Sequence, residues 1–182
     1  SASGPHVLLG GDLGSMAMNV LTSSHGTWTV DVEGQLTPGG LSSLHPALRA
    51  DGLELQGQWN HDHASGSWGT LQTASHNVAF ESISFASLTS RMQFREGRLH
   101  AEVDAEQPTS QTQLHGTAIW EVSTPDELRV DANLTHIPLS WVQPWVDTSA
   151  AMLTGTLDAA VEVSGPWRAP VLSGGGIIDT LT

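Results

Sequence analysis

The sequence predicts an all-β protein, in which one meandering antiparallel sheet forms most of the structure and helix is scarce. Segments that alternate apolar and polar residues recur along the chain, as expected of strands with one covered face. The 19 Gly and nine Pro are spread throughout, which suits many short strands joined by turns. No long amphipathic helical pattern is present. The 182 residues suffice for one large domain or for a piece of a longer array.

The clearest strand lies in residues 153–165. Its odd positions are apolar or small and its even positions are mostly polar, which is the period of a half-buried strand. Gly165 and Pro166 interrupt this pattern, and a second strand is predicted over residues 171–178. The run Gly174-Gly175-Gly176 inside it predicts a bulge or a close approach of two backbones.

Weaker alternation predicts strands elsewhere, and two short segments break the pattern. The further strands are residues 27–33, 52–59, 114–122 and 128–134. Residues 92–94 and 98–105, joined by Arg95-Glu96-Gly97, predict a hairpin. Residues 41–48 and 138–147 predict a turn of helix or an irregular loop, with Pro144 limiting any helix in the second. Residues 106–112 are polar and predict an exposed loop.

Composition excludes several classes of protein. The net charge is −13 and the only strong cations are six Arg, so the chain lacks the clustered cations that nucleic-acid binding requires. Without Cys, a disulfide scaffold and thiol catalysis are excluded. No apolar run approaches the length that crosses a bilayer.

The covered face of these strands leaves two architectures open. Removing apolar surface from water stabilises a fold by about 25 cal/mol per Å², so the apolar face of each strand needs a cover. Since no long helix is predicted, the cover is a second sheet, as in a closed sandwich, or the same sheet folded into a trough. An open trough would leave its apolar face available to acyl chains or to an apolar strand of a client protein.

The end of the chain carries a recognisable order of turns and strands. An Ile-Pro step precedes a G-x-L strand, a short turn with Pro, and a V-x-G strand. The matching positions are Ile137-Pro138-Leu139, Gly155, Leu157, Val163, Gly165, Pro170, Val171, Gly174 and Ile177-Ile178. Over residues 128–179 this order resembles the TamB family and its AsmA-like relatives, of the bridge-like lipid transfer superfamily.

The resemblance implies an elongated, curved sheet that forms an open hydrophobic trough, called a β-taco. Residues 1–182 would then be a single β-rich fragment of a longer, repetitive periplasmic protein that is anchored in the inner membrane of a Gram-negative-type bacterium. Its function would be non-catalytic. The implied activity is phospholipid transfer between the two membranes, chaperoning of outer-membrane protein strands during assembly, or both. The implied partner is an outer-membrane barrel of the TamA type.

The apolar positions of the predicted strands supply the expected trough lining. The expected lining residues are Trp28, Val30, Val32, Leu53, Leu55, Leu99, Val103, Leu114, Trp120, Val122, Leu128, Val130, Leu157, Val161 and Val163. Trp141 and Trp145 lie four residues apart, so they would share one face of a helical turn and cap one end of the groove.

The side chains that carry chemistry point to no enzyme. His61 and His63 are the best candidates for metal ligands, with His45, His76 or Asp51 as a third ligand, but a polar turn is the simpler interpretation. No nucleophile elbow and no phosphate-binding glycine loop is present. We expect no catalytic residues and no cofactor.

A carbohydrate-binding β-sandwich is the alternative function, because exposed Trp rings stack on sugars. Trp on the polar side of a strand would favour sugars, whereas Trp in phase with Val and Leu favours lipid or a core. The outermost strands of a sheet cut from an array would also be unpaired, so we expect edge-strand self-association of the isolated chain to be possible.

Overall fold

The computed structural model describes residues 3–22, 27–121, 128–143, 154–166 and 169–179. In this part of the chain, twelve strands and two short helices follow one another. The strands are β1 Ser3–Gly11, β2 Gly14–Thr22, β3 Trp28–Leu36, β4 Leu48–Arg49, β5 Leu53–Asp62, β6 Gly66–Phe80, β7 Ile83–Arg95, β8 Arg98–Gln107, β9 Thr112–Glu121, β10 Leu128–Pro138, β11 Thr156–Gly165 and β12 Val171–Asp179. The helices are α1 Pro38–Leu44 and α2 Leu139–Val142.

All strands belong to one antiparallel sheet that does not close on itself. Strands that are consecutive in the chain pair with each other from β1 to β12, except that the two-residue β4 pairs with the end of β6 and leaves β3 beside β5. The predicted fold class, an all-β meander with little helix, is confirmed.

Local turn chemistry matches the predictions closely at the β7–β8 hairpin. Glu96 and Gly97 have φ of 53° and 79°, and two successive positive φ values are what a tight two-residue hairpin turn requires. In β12 the glycine run contains no bulge, since Gly174, Gly175 and Gly176 stay in register with β11. A Cβ built on Gly174 would lie 2.5 Å from the carbonyl oxygen of Ala160. The run therefore permits a close backbone approach.

Several element boundaries differ from the predictions. Strands β1, β2 and β6 and the first half of β7 were not predicted. The signal of β6 is weak because its positions in phase with Leu71 include Gly69, Thr73 and Ser75. The exposed loop predicted over residues 106–112 is shorter, because β8 extends to Gln107 and β9 starts at Thr112.

Both helices are short and sit at the same end of the sheet. Helix α1 begins earlier than predicted because Thr37 caps it, its Oγ1 accepting from the Gly40 N–H at 3.1 Å, with Pro38 at the first helical position. Helix α2 follows β10 directly, and the Leu139 N–H donates to the Gly155 carbonyl at 3.0 Å.

The sealed core lies at this helical end. The buried hydrophobic side chains in the described part are Leu41, Phe85, Ala105, Ile137 and Leu139. Thr112, the first residue of β9, is fully buried. They belong to α1, to α2 and to the strand ends that adjoin the helices. The rest of the sheet has no comparable core, so its stability rests on the strand ladder and on cross-strand contacts.

Gly69 shows how tightly the sheet packs away from that end. It pairs with Trp59 on one side and Phe94 on the other, and these two rings stack with centroids 4.8 Å apart. A Cβ at Gly69 would lie 2.5 Å from a ring carbon of Trp59 and 2.9 Å from the Gln58 carbonyl oxygen. The absence of a side chain at this position thus makes room for the stacked pair.

Replacing Gly69 with Ala should therefore destabilise the protein by about 1–3 kcal/mol, the usual cost of overpacking. Gly116→Ala is the matched control, because Gly116 is also buried in a central strand but a Cβ there meets nothing nearer than 3.7 Å. Urea unfolding followed by circular dichroism measures both. Equal stability of the two variants would contradict the packing argument.

Candidate functional site

One side of the sheet is apolar from β2 to β12. Directly opposed residues of paired strands lie on the same side, so this side can be followed across the sheet. One row of opposed residues is Met18, Val32, Gly57, Leu71, Met92, Ala101, Ala118, Val130, Val163 and Leu172. We call this side the apolar face. In the strands that follow this row, which leave out the two-residue β4, none of the paired residues on the apolar face is Asp, Glu or Arg.

The structure brings the predicted lining residues together on this apolar face. Val122 lies outside the described residues. The others are Trp28, Val30, Val32, Leu53, Leu55, Leu99, Val103, Leu114, Trp120, Leu128, Val130, Leu157, Val161 and Val163. That they bind a lipid or a client strand stays a prediction.

The exposure of these side chains decides between a sandwich and an open sheet. All of them are half-buried except Trp120, which is exposed at 37%. In a closed sandwich the same side chains would be fully enclosed between two layers. No second sheet is present in the described part of the chain. Away from the helical end, the apolar face is therefore open to solvent.

Aromatic rings concentrate at the end of the apolar face that is remote from the helices. The Trp28 and His61 rings stack with centroids 5.3 Å apart, beside the stacked rings of Trp59 and Phe94. Trp59 was predicted from its phase with Leu53 and Leu55 to face the covered side, although it was not among the expected lining residues, and Phe94 was not predicted. Their signal was present, because each is in phase with apolar neighbours of its own strand.

Of the two residues predicted to cap the groove, Trp141 lies in the described part of the chain. Trp141 lies in α2 at the helical end, where its ring meets Phe85 edge to face with centroids 5.4 Å apart. Its carbonyl accepts a hydrogen bond from the Ser82 hydroxyl at 3.2 Å. Trp145 lies outside the described residues.

The opposite side of the sheet is polar, and two grooves lie on it. One row across it is Ala17, Glu33, Gln56, Gln72, Arg91, Glu102, Thr117, Asp131, Glu162 and Ser173. We call this side the polar face. A groove of about 800 Å³ crosses it from β2 to β8, and one of about 480 Å³ adjoins it on β2 to β6. Polar side chains and backbone line both.

The grooves thus lie opposite the predicted lining residues. Alternation along a strand specifies which side chains share a face, but it does not specify the direction in which the sheet bends. The position of these two grooves on the polar face was therefore not predicted. Of the described Trp residues, Trp68 lies on this face, opposed to Asn60 and Arg95 and 38% exposed.

Ion pairs join charged side chains of neighbouring strands on the polar face. Arg98 on β8 pairs with Glu121 on β9. Arg129 on β10 lies 3.0 Å from Asp131 and 3.5 Å from Glu162 of β11. The hydrogen bond to Asp131 raises the pKa of the Arg129 guanidinium. Because these pairs are exposed, each adds little stability.

One group of potential metal ligands occurs on the polar face in the described part. Oxygen and nitrogen atoms of Glu102, Asp104 and His115 lie within 4.8 Å of one another. His115 Nδ1 and Asp104 Oδ1 are 2.7 Å apart, and this hydrogen bond to a carboxylate raises the pKa of His115. This group was not predicted, because its residues come from two strands whose register was unknown.

The predicted candidates His61 and His63 lie at the other end of the sheet. Their rings meet edge to face with centroids 5.5 Å apart, and His61 Nδ1 is 2.8 Å from the Ser67 hydroxyl. His76, proposed as a third ligand, is nine residues beyond Ser67 along β6, or about 30 Å at the rise of a strand. The structure does not bring it to His61.

His45 and Asp51 are equally remote from His61. The His45 ring contacts Phe80 near α1, and the Asp51 N–H donates to the His76 carbonyl. Between β5 and β6 the chain forms a turn, in which Asp62 Oδ1 accepts from the Ala64 N–H at 2.6 Å. This bond lowers the pKa of Asp62. The geometry is that of a polar turn.

Comparisons of the chain with protein-family models, with curated proteins and with solved structures find no match. Within the described residues, no helix has the length and hydrophobicity that crossing a bilayer would require.

The hydrogen bond between His115 and Asp104 leads to a prediction about how stability depends on pH. Because the folded pKa of His115 lies above its ordinary value of about 6.5, the pair contributes stability below that value, and the contribution is lost as pH rises through the folded pKa. An NMR titration of the His115 ring should give a midpoint that Asp104→Asn lowers. Glu102→Gln, which removes only a weaker charge effect, is the control. An unchanged midpoint in Asp104→Asn would contradict the assignment.

Proposed function

We propose that the chain is a non-catalytic, TamB-like periplasmic segment whose apolar face carries phospholipid acyl chains or the apolar faces of outer-membrane protein strands. The inner-membrane anchor of the parent protein and its TamA-like partner belong to the same proposal. The observation that carries it is the exposure of the apolar face, which is continuous from β2 to β12 yet lacks a second layer in the described chain.

An exposed apolar face of this extent needs a reason. Soluble monomers rarely expose large continuous apolar patches, and those that do use them for binding. Each methylene of an acyl chain that leaves water here would contribute up to about 0.8 kcal/mol. A hydrocarbon chain lying across Val130, Val163 and their row would replace water along many strands at once.

The distribution of charge supports the same use. Acidic strand residues such as Glu33, Glu102 and Glu162 lie on the polar face. They keep the sheet soluble without placing any carboxylate beside a bound acyl chain. A lipid would therefore meet no desolvated charge on the apolar face, whose presence would oppose binding.

Residues Trp120 and Ile119 provide a matched test of the face. They are neighbours on β9 with 37% and 38% exposure, and they lie on the apolar and the polar face respectively. Trp120→Asp should reduce binding of a fluorescent phospholipid at least tenfold, because a carboxylate then faces the hydrocarbon. Ile119→Asp should bind as the unaltered protein does. Vesicle-to-vesicle transfer of the same lipid is the second measurement.

Circular dichroism must show both variants folded. If Trp120→Asp is folded and still binds and transfers the lipid as well as Ile119→Asp, the apolar face is not the binding surface. Native mass spectrometry of protein purified without detergent should in addition show co-purified phospholipid.

Carbohydrate binding is a second candidate because of Trp68. This ring is exposed on the polar face, two residues from Thr70 of the smaller groove. Amide and carboxylate side chains such as Gln58 and Asp31 line that groove, and they can hydrogen-bond sugar hydroxyls while an indole stacks on the ring.

A glycan array separates the two functions. If sugars bind the polar face, Trp68→Ala should abolish the array signal, whereas Trp120→Ala should leave it unchanged. The absence of any signal for the unaltered protein would remove this candidate. A signal that survives Trp68→Ala would place sugar binding elsewhere.

A further inference from the structure

Strand β12 is the last strand of the described sheet, where no described strand pairs with its outer edge, and its apolar side chains are unusually exposed. It ends the order of strands in the sheet, and all of its residues are exposed. Val171, Leu172, Ile177 and Ile178 are 63%, 72%, 76% and 59% exposed, more than any other large apolar side chain in the described part.

This edge lacks the features that usually prevent strand pairing. Natural edge strands carry Lys, Pro, bulges or inward charges. Strand β12 contains no Lys, Arg or Pro and keeps a regular register with β11 over its whole length. Its one charged residue, Asp179, is the last of the strand. The outward N–H and C=O groups of β12, which no described strand pairs, are therefore suited to pairing with another strand.

The sequence of β12 is complementary to itself in the antiparallel direction. With Gly175 opposite Gly175 of a second copy, Leu172 lies opposite Ile178, and Gly174 lies opposite Gly176. On the polar face, Ser173 lies opposite Ile177 of the second copy, and Val171 lies opposite Asp179. We propose that β12 pairs with β12 of a second copy of this chain, around a two-fold axis at Gly175.

Charge is compatible with this pairing despite a net charge of −13 on each copy. The two Asp179 carboxylates would sit at opposite ends of the junction, about 27 Å apart at the rise of a strand. That separation exceeds the screening length of about 8 Å at physiological ionic strength. The neutral stretch between them is the part of the edge where two acidic molecules can approach.

The pairing also preserves the two faces. Leu172 and Ile178 belong to the apolar face, where they oppose Val163 and Leu157 of β11. A two-fold axis perpendicular to the sheet leaves the apolar faces of both copies on one side. The dimer would double the length of the apolar face, and this inference holds whether that face binds lipid or not.

Cysteine cross-linking tests the register directly, because the chain contains no Cys. Gly175→Cys should form a disulfide-linked dimer on mild oxidation, since opposed Cα atoms lie about 4.5–5.5 Å apart. A Cβ at Gly175 meets nothing within 4 Å. Ser173→Cys, on the same face, is the control: its two copies would be about 14 Å apart and should not cross-link.

A mixture of Ser173→Cys and Ile177→Cys should regain the cross-link, because these positions oppose each other in the proposed register. Cross-linking of Ser173→Cys alone, or equal yields from all variants, would overturn the register. Sedimentation equilibrium of the unaltered 182-residue chain should show a monomer–dimer equilibrium, and a monomer at all concentrations would overturn the pairing.

Substitution of an exposed side chain gives an independent measure of the same equilibrium. Leu172→Glu should weaken dimerisation roughly tenfold or more, because it places a charge opposite Ile178 twice in the dimer. Leu13→Glu adds the same charge at a residue that is 58% exposed in the β1–β2 turn, and it should leave dimerisation unchanged. Equal effects of both would assign the contact to net charge and not to β12.

Discussion

The structure depends on a register that antiparallel pairing maintains from β2 to β12. Since side chains alternate with a period of two, a slip of one residue at any hairpin would turn all of the following apolar side chains to the other side. The one shift recorded between these strands lies in β10 between Leu134 and Ile137, where His136 has a φ of 53°. Asp158 accepts the His136 N–H at 2.6 Å. This bulge absorbs one residue and returns Ile137 to the apolar face opposite Leu157.

With this register, the buried core and the exposed apolar face occupy different parts of the sheet. A soluble domain usually buries its apolar faces in one core, whereas here the buried side chains gather at the helical end around Phe85, Ile137 and Leu139. The remaining sheet is held by backbone ladders, stacked rings and cross-strand pairs. Acidic strand residues such as Glu33, Glu102 and Glu162 lie on the polar face and not on the apolar face.

The sequence was sufficient to predict which side chains share a face, because alternation is local. Trp28, Leu99 and Val161 lie on the same side although they come from strands far apart in the chain. It was insufficient where the apolar face is made of small residues, as in β6 at Gly69. The grooves of the polar face and the group at His115 were also missed. Both depend on the bending of the sheet and on the pairing of particular strands, which single-strand patterns do not contain.

Glycines help to make the apolar face shallow. Several of them lie opposite a large side chain of the neighbouring strand, which leans over the space that a Cβ would fill. These pairs are Gly34 with Leu55, Gly57 with Leu71 and Gly69 with Trp59. The side chain of Leu157 covers Gly176 in the same way from a diagonal position, since Gly176 itself pairs with Ala159. Large side chains that lie flat make a shallow, continuous surface and not a set of deep pockets. Such a surface would select for hydrocarbon character and length more than for shape, because specificity requires pockets or polar contacts that match one ligand.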